Sequence, residues 1–136
     1  MITQKYINRL SYKIIGCAIE VQKELGPGLL ESIYEKCLKH ELVASGFDVK
    51  SQFNVPLIYK GIEMDCDLRL DLMVNDLIIV ELKAVDQLIP VFKAQLLTYL
   101  KLLDKPKGLL INFNSNNISD QIVSLVTPKF ASLPKE

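Results

Sequence analysis

The segment LDLMVNDLIIVELK, residues 70–83, constrains the fold more than any other. Two runs rich in Leu, Ile and Val flank a polar Asn75-Asp76 pair, the pattern of a β-hairpin with its turn in the middle. Asp71, Glu81 and Lys83 nevertheless sit inside those apolar runs. Side chains alternate between the two faces of a strand, so the pairing register decides where the three charges point. A strict two-residue turn sets Val74 opposite Leu77 and sends Asp71 and Glu81 to opposite faces. A three-residue loop, or an equivalent bulge, pairs Val74 with Ile78 and Asp71 with Glu81. It also gathers Cys66, Leu68, Leu70 and Leu72 on one face with Ile78, Val80 and Leu82, so the hydrophobic pattern selects it.

In that register Asp71, Glu81 and Lys83 share a face, and two opposed carboxylates repel unless a proton or a cation lies between them. A divalent ion resolves the conflict. Oxygen ligands with positions left to water suit Mg²⁺, water activated there can attack a phosphodiester, and Lys83 can orient that water or neutralise the phosphate. The alternative is an ordinary ion-pair cluster on a solvated sheet face, and spacing alone does not separate the two.

Upstream, Ile7, Leu10, Ile14, Cys17, Val21 and Leu25 recur at helical spacing until Gly26-Pro27. A second helix is expected from Gly28 or Leu29 to Gly46, with Leu30, Ile33, Tyr34, Cys37, Leu38 and Leu42 on its apolar face. Short β-prone runs follow at Phe47–Val49 and Val55–Tyr59, and Pro56 marks an edge or strand end. The alternation of Asp65, Asp67, Arg69 and Asp71 with Cys66, Leu68, Leu70 and Leu72 predicts a strand paired to Leu77–Ala84. Pro90 opens a helix, VFKAQLLTYLKLL, that is apolar nearly all round. Gly108–Phe113 reads as a strand, Ile122–Val126 as a last strand or short helix, and the tail from Thr127 is expected to fray.

This order predicts one α/β domain over residues 1–126: an antiparallel meander, a strand added through a helical crossover, and helices flanking the mixed sheet. A chain of 136 residues can build such a core. Sixteen basic residues balance sixteen acidic ones, so any attraction to nucleic acid must come from a local patch. Three cysteines without a CxxC pair and a single histidine exclude a zinc site. No run is long and apolar enough to span a bilayer, and the start lacks a signal-peptide core; a soluble cytoplasmic protein without a membrane partner is expected.

An acidic residue on one strand, E-x-K on the next and a helix bearing Gln95 together resemble the PD-(D/E)XK nuclease superfamily. More narrowly, the chain resembles the small GxxExxY proteins, whose name motif stands here as Gly28-Leu29-Leu30-Glu31-Ser32-Ile33-Tyr34. The similarity continues through Arg69–Leu72, Ile79–Val85, Ala94–Leu100 and Leu110–Phe113. The resemblance implies a restriction-endonuclease-like core and hydrolysis of phosphodiester bonds in DNA or RNA, dependent on Mg²⁺ with Mn²⁺ as substitute. It implies further that Asp71 and Glu81 bind the metal, Lys83 assists the nucleophile, Glu31 points to the same centre and Gln95 lies beside it. Leu70 stands where the superfamily's proline would be, and no ligand is lost by it.

Read from the residues alone, Glu31 is also a first-turn acid favoured by the helix dipole. Gln95 and Tyr99 are one turn apart on an apolar helix, where a buried amide must find partners. Tyr99 and Tyr34 are supporting residues that stack on a base, donate to Glu31, or belong to the core. Two rival functions stand beside hydrolysis: a non-catalytic nucleic-acid-binding or regulatory module that retains the fold, and a structural homodimer formed through an apolar helix.

Overall fold

The computed structural model describes residues 1–136. Helix α1 spans Gln4–Leu25; Thr3 caps it by accepting a hydrogen bond from the Tyr6 amide. Ile7, Leu10, Ile14, Ala18 and Val21 form its buried stripe. Gly26, at φ +68°, ends the helix where a side chain would be strained. Helix α2 spans Glu31–Ala44 and buries Tyr34, Leu38 and Leu42. Leu30 and Ile33, expected on its apolar face, are exposed.

Strands β1 (Val49–Asn54), β4 (Arg69–Val74), β5 (Ile78–Lys83), β6 (Lys107–Asn112) and β7 (Ile122–Val126) form one five-stranded sheet in the order β1-β4-β5-β6-β7. The β1–β4, β4–β5 and β6–β7 pairs are antiparallel. Between β5 and β6 the pairing is parallel, joined by helix α3, Pro90–Leu103. This is the expected meander with a helical crossover, a mixed α/β sheet consistent with a restriction-endonuclease-like fold.

Two details depart from the sequence reading. Most of β1 is the run Lys50–Asn54, polar except for Phe53, so an edge strand whose side chains alternate between half-buried and exposed carries little apolar signal in its sequence. Pro56 separates that strand from β2 (Leu57–Tyr59), which turns through Lys60-Gly61 into β3 (Ile62–Met64) and forms a separate two-stranded sheet.

The main sheet has a core on each side. Helices α1 and α2 pack with Leu72, Val74, Ile78, Val80 and Leu82 on one face. Helix α3 contributes Leu96, Tyr99 and Leu100 to the other, with Leu70, Met73, Ile79 and Leu110. Gly108 lets α3 approach closely: a Cβ there would lie 2.8 Å from Leu96 Cδ1. No helix is long and apolar enough to cross a membrane.

The tail, expected to fray from Thr127, instead forms helix α4, Pro128–Ser132, with Pro128 in its first turn. The Gln4 side chain donates to Phe130 O and Leu133 O, and the Gln4 and Lys5 amides donate to Pro134 O and Lys135 O. The tail carbonyls thereby satisfy amides that the first turn of α1 leaves without partners.

Candidate active site

The hairpin adopts the register selected by the hydrophobic pattern: Val74 pairs with Ile78, Met73 with Ile79 and Leu72 with Val80. Asn75 and Asp76 have positive φ, which the short polar side chains tolerate, and Leu77 is the third residue of the loop. Regular pairing stops short of Asp71 and Glu81. There the carboxyls replace the ladder: Asp71 N–H donates to Glu81 Oε2 at 3.3 Å, and Leu82 N–H donates to Asp71 Oδ2 at 2.8 Å.

A single apolar face through Leu68, Leu70 and Leu72 is not what forms. Leu70 and Leu72 lie in different cores, as do Phe53 and Val49 on the neighbouring strand. The break falls at Gln52 and Asp71, which lie opposite each other between the Ser51–Leu72 and Phe53–Leu70 pairs. Gln52 has a left-handed backbone, φ +52°, which interrupts the alternation. Asp71 therefore stands where the sheet exchanges faces, and its charge acts on groups of both helical layers.

Those groups are Glu31 and Glu35 on α2 and Tyr99 on α3. Burial, opposed by Lys83 and reinforced by Asp71, raises the pKa of Glu31. Burial and Asp71 raise that of Glu35, whose Oε1 accepts a hydrogen bond from Gln52 Nε2 at 2.8 Å. Tyr99 is pushed up by burial and by the charges of Glu81 and Asp71. Glu81, 5% exposed, is pushed up to about 10, first by desolvation and then by the neighbouring Asp71 carboxyl. Lys83 forms no ion pair with a carboxylate within 4.0 Å; its Nζ lies 4.5 Å from the Phe92 ring centroid. The arrangement is therefore not an ion-pair cluster on a solvated face.

A sequence model of the PD-(D/E)XK nuclease superfamily matches residues 8–125, a range that takes in all of these side chains. The chain belongs to the PD-(D/E)XK nuclease superfamily. Nothing among curated proteins matches it. No solved structure matches it either. PD-(D/E)XK nucleases are generally divalent-metal dependent. In this member of the superfamily, the buried Glu81 carboxyl and the half-buried Asp71 carboxyl converge, and hard oxygen donors so placed fit a cation that relieves their repulsion. No group of three or more His, Cys, Asp and Glu side chains with metal-holding geometry is formed. Mg²⁺ does not need one, since it keeps several waters and is commonly bound through one or two carboxylates.

Of the residues singled out in the sequence, Asp71, Glu81, Lys83, Glu31 and Tyr99 come together at this end of the sheet. Gln95 is exposed rather than buried, and its amide donates to Tyr99 Oη at 3.2 Å. Tyr34 does not join them. Its fully buried ring stacks on Phe113 at 4.9 Å, and its hydroxyl donates to Gly26 O at 2.5 Å and accepts from Leu29 N–H at 3.2 Å. The GxxExxY motif thus has a mechanical reading: Gly28, at φ +106°, makes the turn, Tyr34 clamps it, and Glu31 opens α2 toward Asp71 and Lys83.

Three contributors escaped the sequence reading. Glu35, one helical turn after Glu31, was visible in the i, i+4 spacing; Gln52 gave no signal. Asn112, fully buried, ties the loop after β5 to the segment that follows β6 through its side-chain amide. It donates to Val85 O and Gln121 Oε1 and accepts from Val85 N–H and Asn114 N–H. With the Phe113 amide on Lys83 O at 2.8 Å, it fixes the main chain that carries Lys83.

Proposed function

We propose that this protein is a Mg²⁺-dependent nuclease of the GxxExxY group that hydrolyses phosphodiester bonds of nucleic acid. The observation that carries the reading is the convergence of the Asp71 and Glu81 carboxyls at the opened end of the hairpin, in a chain of this superfamily. Asp71 and Glu81 would hold the ion, with Mn²⁺ able to substitute, and Glu31 and Glu35 stand next to them. A divalent ion supplies charge stabilisation at a phosphate and makes water a better nucleophile.

The chain's own groups do the rest. Lys83, free of a carboxylate partner and braced by Phe92, has a charge to offer the phosphoryl oxygens as negative charge develops there. Glu31, whose pKa burial raises, is suited to take the proton of an attacking water. Tyr99, bonded to Gln95, has its pKa raised by burial and by the nearby charges of Glu81 and Asp71, so its hydroxyl stays protonated as a donor at neutral pH.

The rival reading, a binding or regulatory module without turnover, draws on the main-chain amides that already occupy the Asp71 and Glu81 carboxyls. Calorimetric titration of Mg²⁺ into wild type and Asp71→Asn, together with cleavage assays on labelled single-stranded, duplex and branched DNA and RNA, separates them. Mg²⁺-dependent cleavage lost in Asp71→Asn is expected. Metal binding with no cleavage of any substrate would leave the module.

A further inference from the structure

The first nineteen residues contain Lys5, Arg9 and Lys13 and no acidic residue; the first is Glu20. The three are four apart, on one exposed face of α1, and successive charges rise about 6 Å along its axis. With Asn8, Tyr12 and Lys135 they line a groove of about 740 Å³ between α1 and the docked tail. Four basic side chains face a single acidic one there, Glu136, and none of the four forms an ion pair. In a chain of zero net charge this is an uncompensated patch.

Two further observations give the patch a direction. Lys107, only 9% exposed and with its pKa lowered by burial, donates from Nζ to Asn8 Oδ1 at 3.2 Å, which fixes that side chain and leaves the Asn8 amide N–H groups as donors to the groove. Tyr12 is 79% exposed among these cations, where its ring has no packing partner to satisfy. The first-turn amides of Gln4 and Lys5 are taken by the tail, so the groove's affinity for anions resides in side chains. A basic groove with an exposed aromatic side chain has the two elements of single-strand recognition, one for the phosphates and one on which an unpaired base stacks.

We propose that this groove seats a single-stranded nucleic-acid segment, with phosphates on Lys5, Arg9 and Lys13 and a base on Tyr12, as an anchoring surface separate from the centre at Asp71 and Glu81. The proposal rests on the nucleic-acid substrate read from that centre. Lys107 opens β6, and Glu81 lies beside Leu110 three residues along it, so the two levels are separated by roughly 10 Å along the strand.

The test is fluorescence anisotropy of a labelled oligothymidylate of about 16 nucleotides, in EDTA so that no turnover occurs, across a salt series. Removing three cations in Lys5→Ala/Arg9→Ala/Lys13→Ala should weaken binding at least about tenfold and flatten the slope of log K against log salt by about 2. Tyr12→Ala should weaken it by about tenfold, and Tyr12→Phe should restore it. All of these positions are exposed, and thermal melts verify that the variants fold. An unchanged salt slope in the triple variant overturns the proposal. Stronger binding of a duplex of equal length, insensitive to Tyr12→Ala, does so as well. If these effects hold but no substrate is cleaved, the hydrolytic reading falls and the groove stands; cleavage with an unaltered salt slope gives the reverse.

Discussion

Asp71 and Glu81 each put a carboxyl where the other strand would ordinarily offer a main-chain group: Glu81 Oε2 takes the Asp71 amide and Asp71 Oδ2 takes the amide of Leu82. The hairpin ladder is thus opened at its far end by the two side chains on which the proposed chemistry depends.

That pairing makes stability depend on pH in a definite direction. Glu81 has an ordinary pKa of 4.5 and about 10 in the folded protein, raised chiefly by desolvation. The folded state therefore holds the proton more tightly, and the stabilisation is complete below the ordinary value and lost as pH rises through the folded one. In chelator, the melting temperature should fall from pH 5 to pH 9 as Glu31 and Glu35 add to the same trend. Glu81→Gln should reduce that slope and raise the alkaline melting temperature. Excess Mg²⁺ should restore wild type at alkaline pH and not the variant. A flat profile for wild type in chelator would contradict the raised pKa of Glu81.

Lys83→Ala should lower kcat on a cleavable substrate by about 10²-fold or more, with a smaller change in KM, because its charge is needed where charge develops. Calorimetric Mg²⁺ affinity should change little, since the amine binds no metal. A large loss of metal affinity would reassign Lys83 to holding the site together.

Tyr34→Phe should destabilise the protein by about 1–3 kcal/mol, because Leu29 N–H and Gly26 O lose their partner in a half-buried turn. Below its melting transition the variant should retain kcat. A loss of kcat in the fully folded variant would place the Tyr34 hydroxyl in the chemistry after all.

Asn112→Leu keeps the branched shape and removes four hydrogen bonds, two to Val85 in the loop after β5, one to Asn114 and one to Gln121. A destabilisation of at least about 2 kcal/mol is expected, with faster amide exchange at Val85 and Asn114. Unchanged exchange there would mean that the loop is held by something else.

The sequence by itself determined the paired strands, their register and the company of Asp71, Glu81 and Lys83. Side-chain alternation allows only one offset that buries Val74, Ile78, Val80 and Leu82 together, and a loop of three residues realises it. It also determined α1, α2 and α3, because apolar spacing and flanking Gly and Pro are local signals. Tertiary structure alone decided the rest. The left-handed Gln52 splits Leu70 from Leu72 and turns Asp71 toward both helical layers, and a positive φ at a Gln has no signature in composition or period. The final helix is held by Gln4 and the start of α1, more than 120 residues away in sequence, so no local reading of Pro128–Ser132 could show what it packs against. The burial of Tyr34 and the exposure of Gln95 were likewise settled by which neighbours the fold brought to each, a property of the whole sheet rather than of either helix.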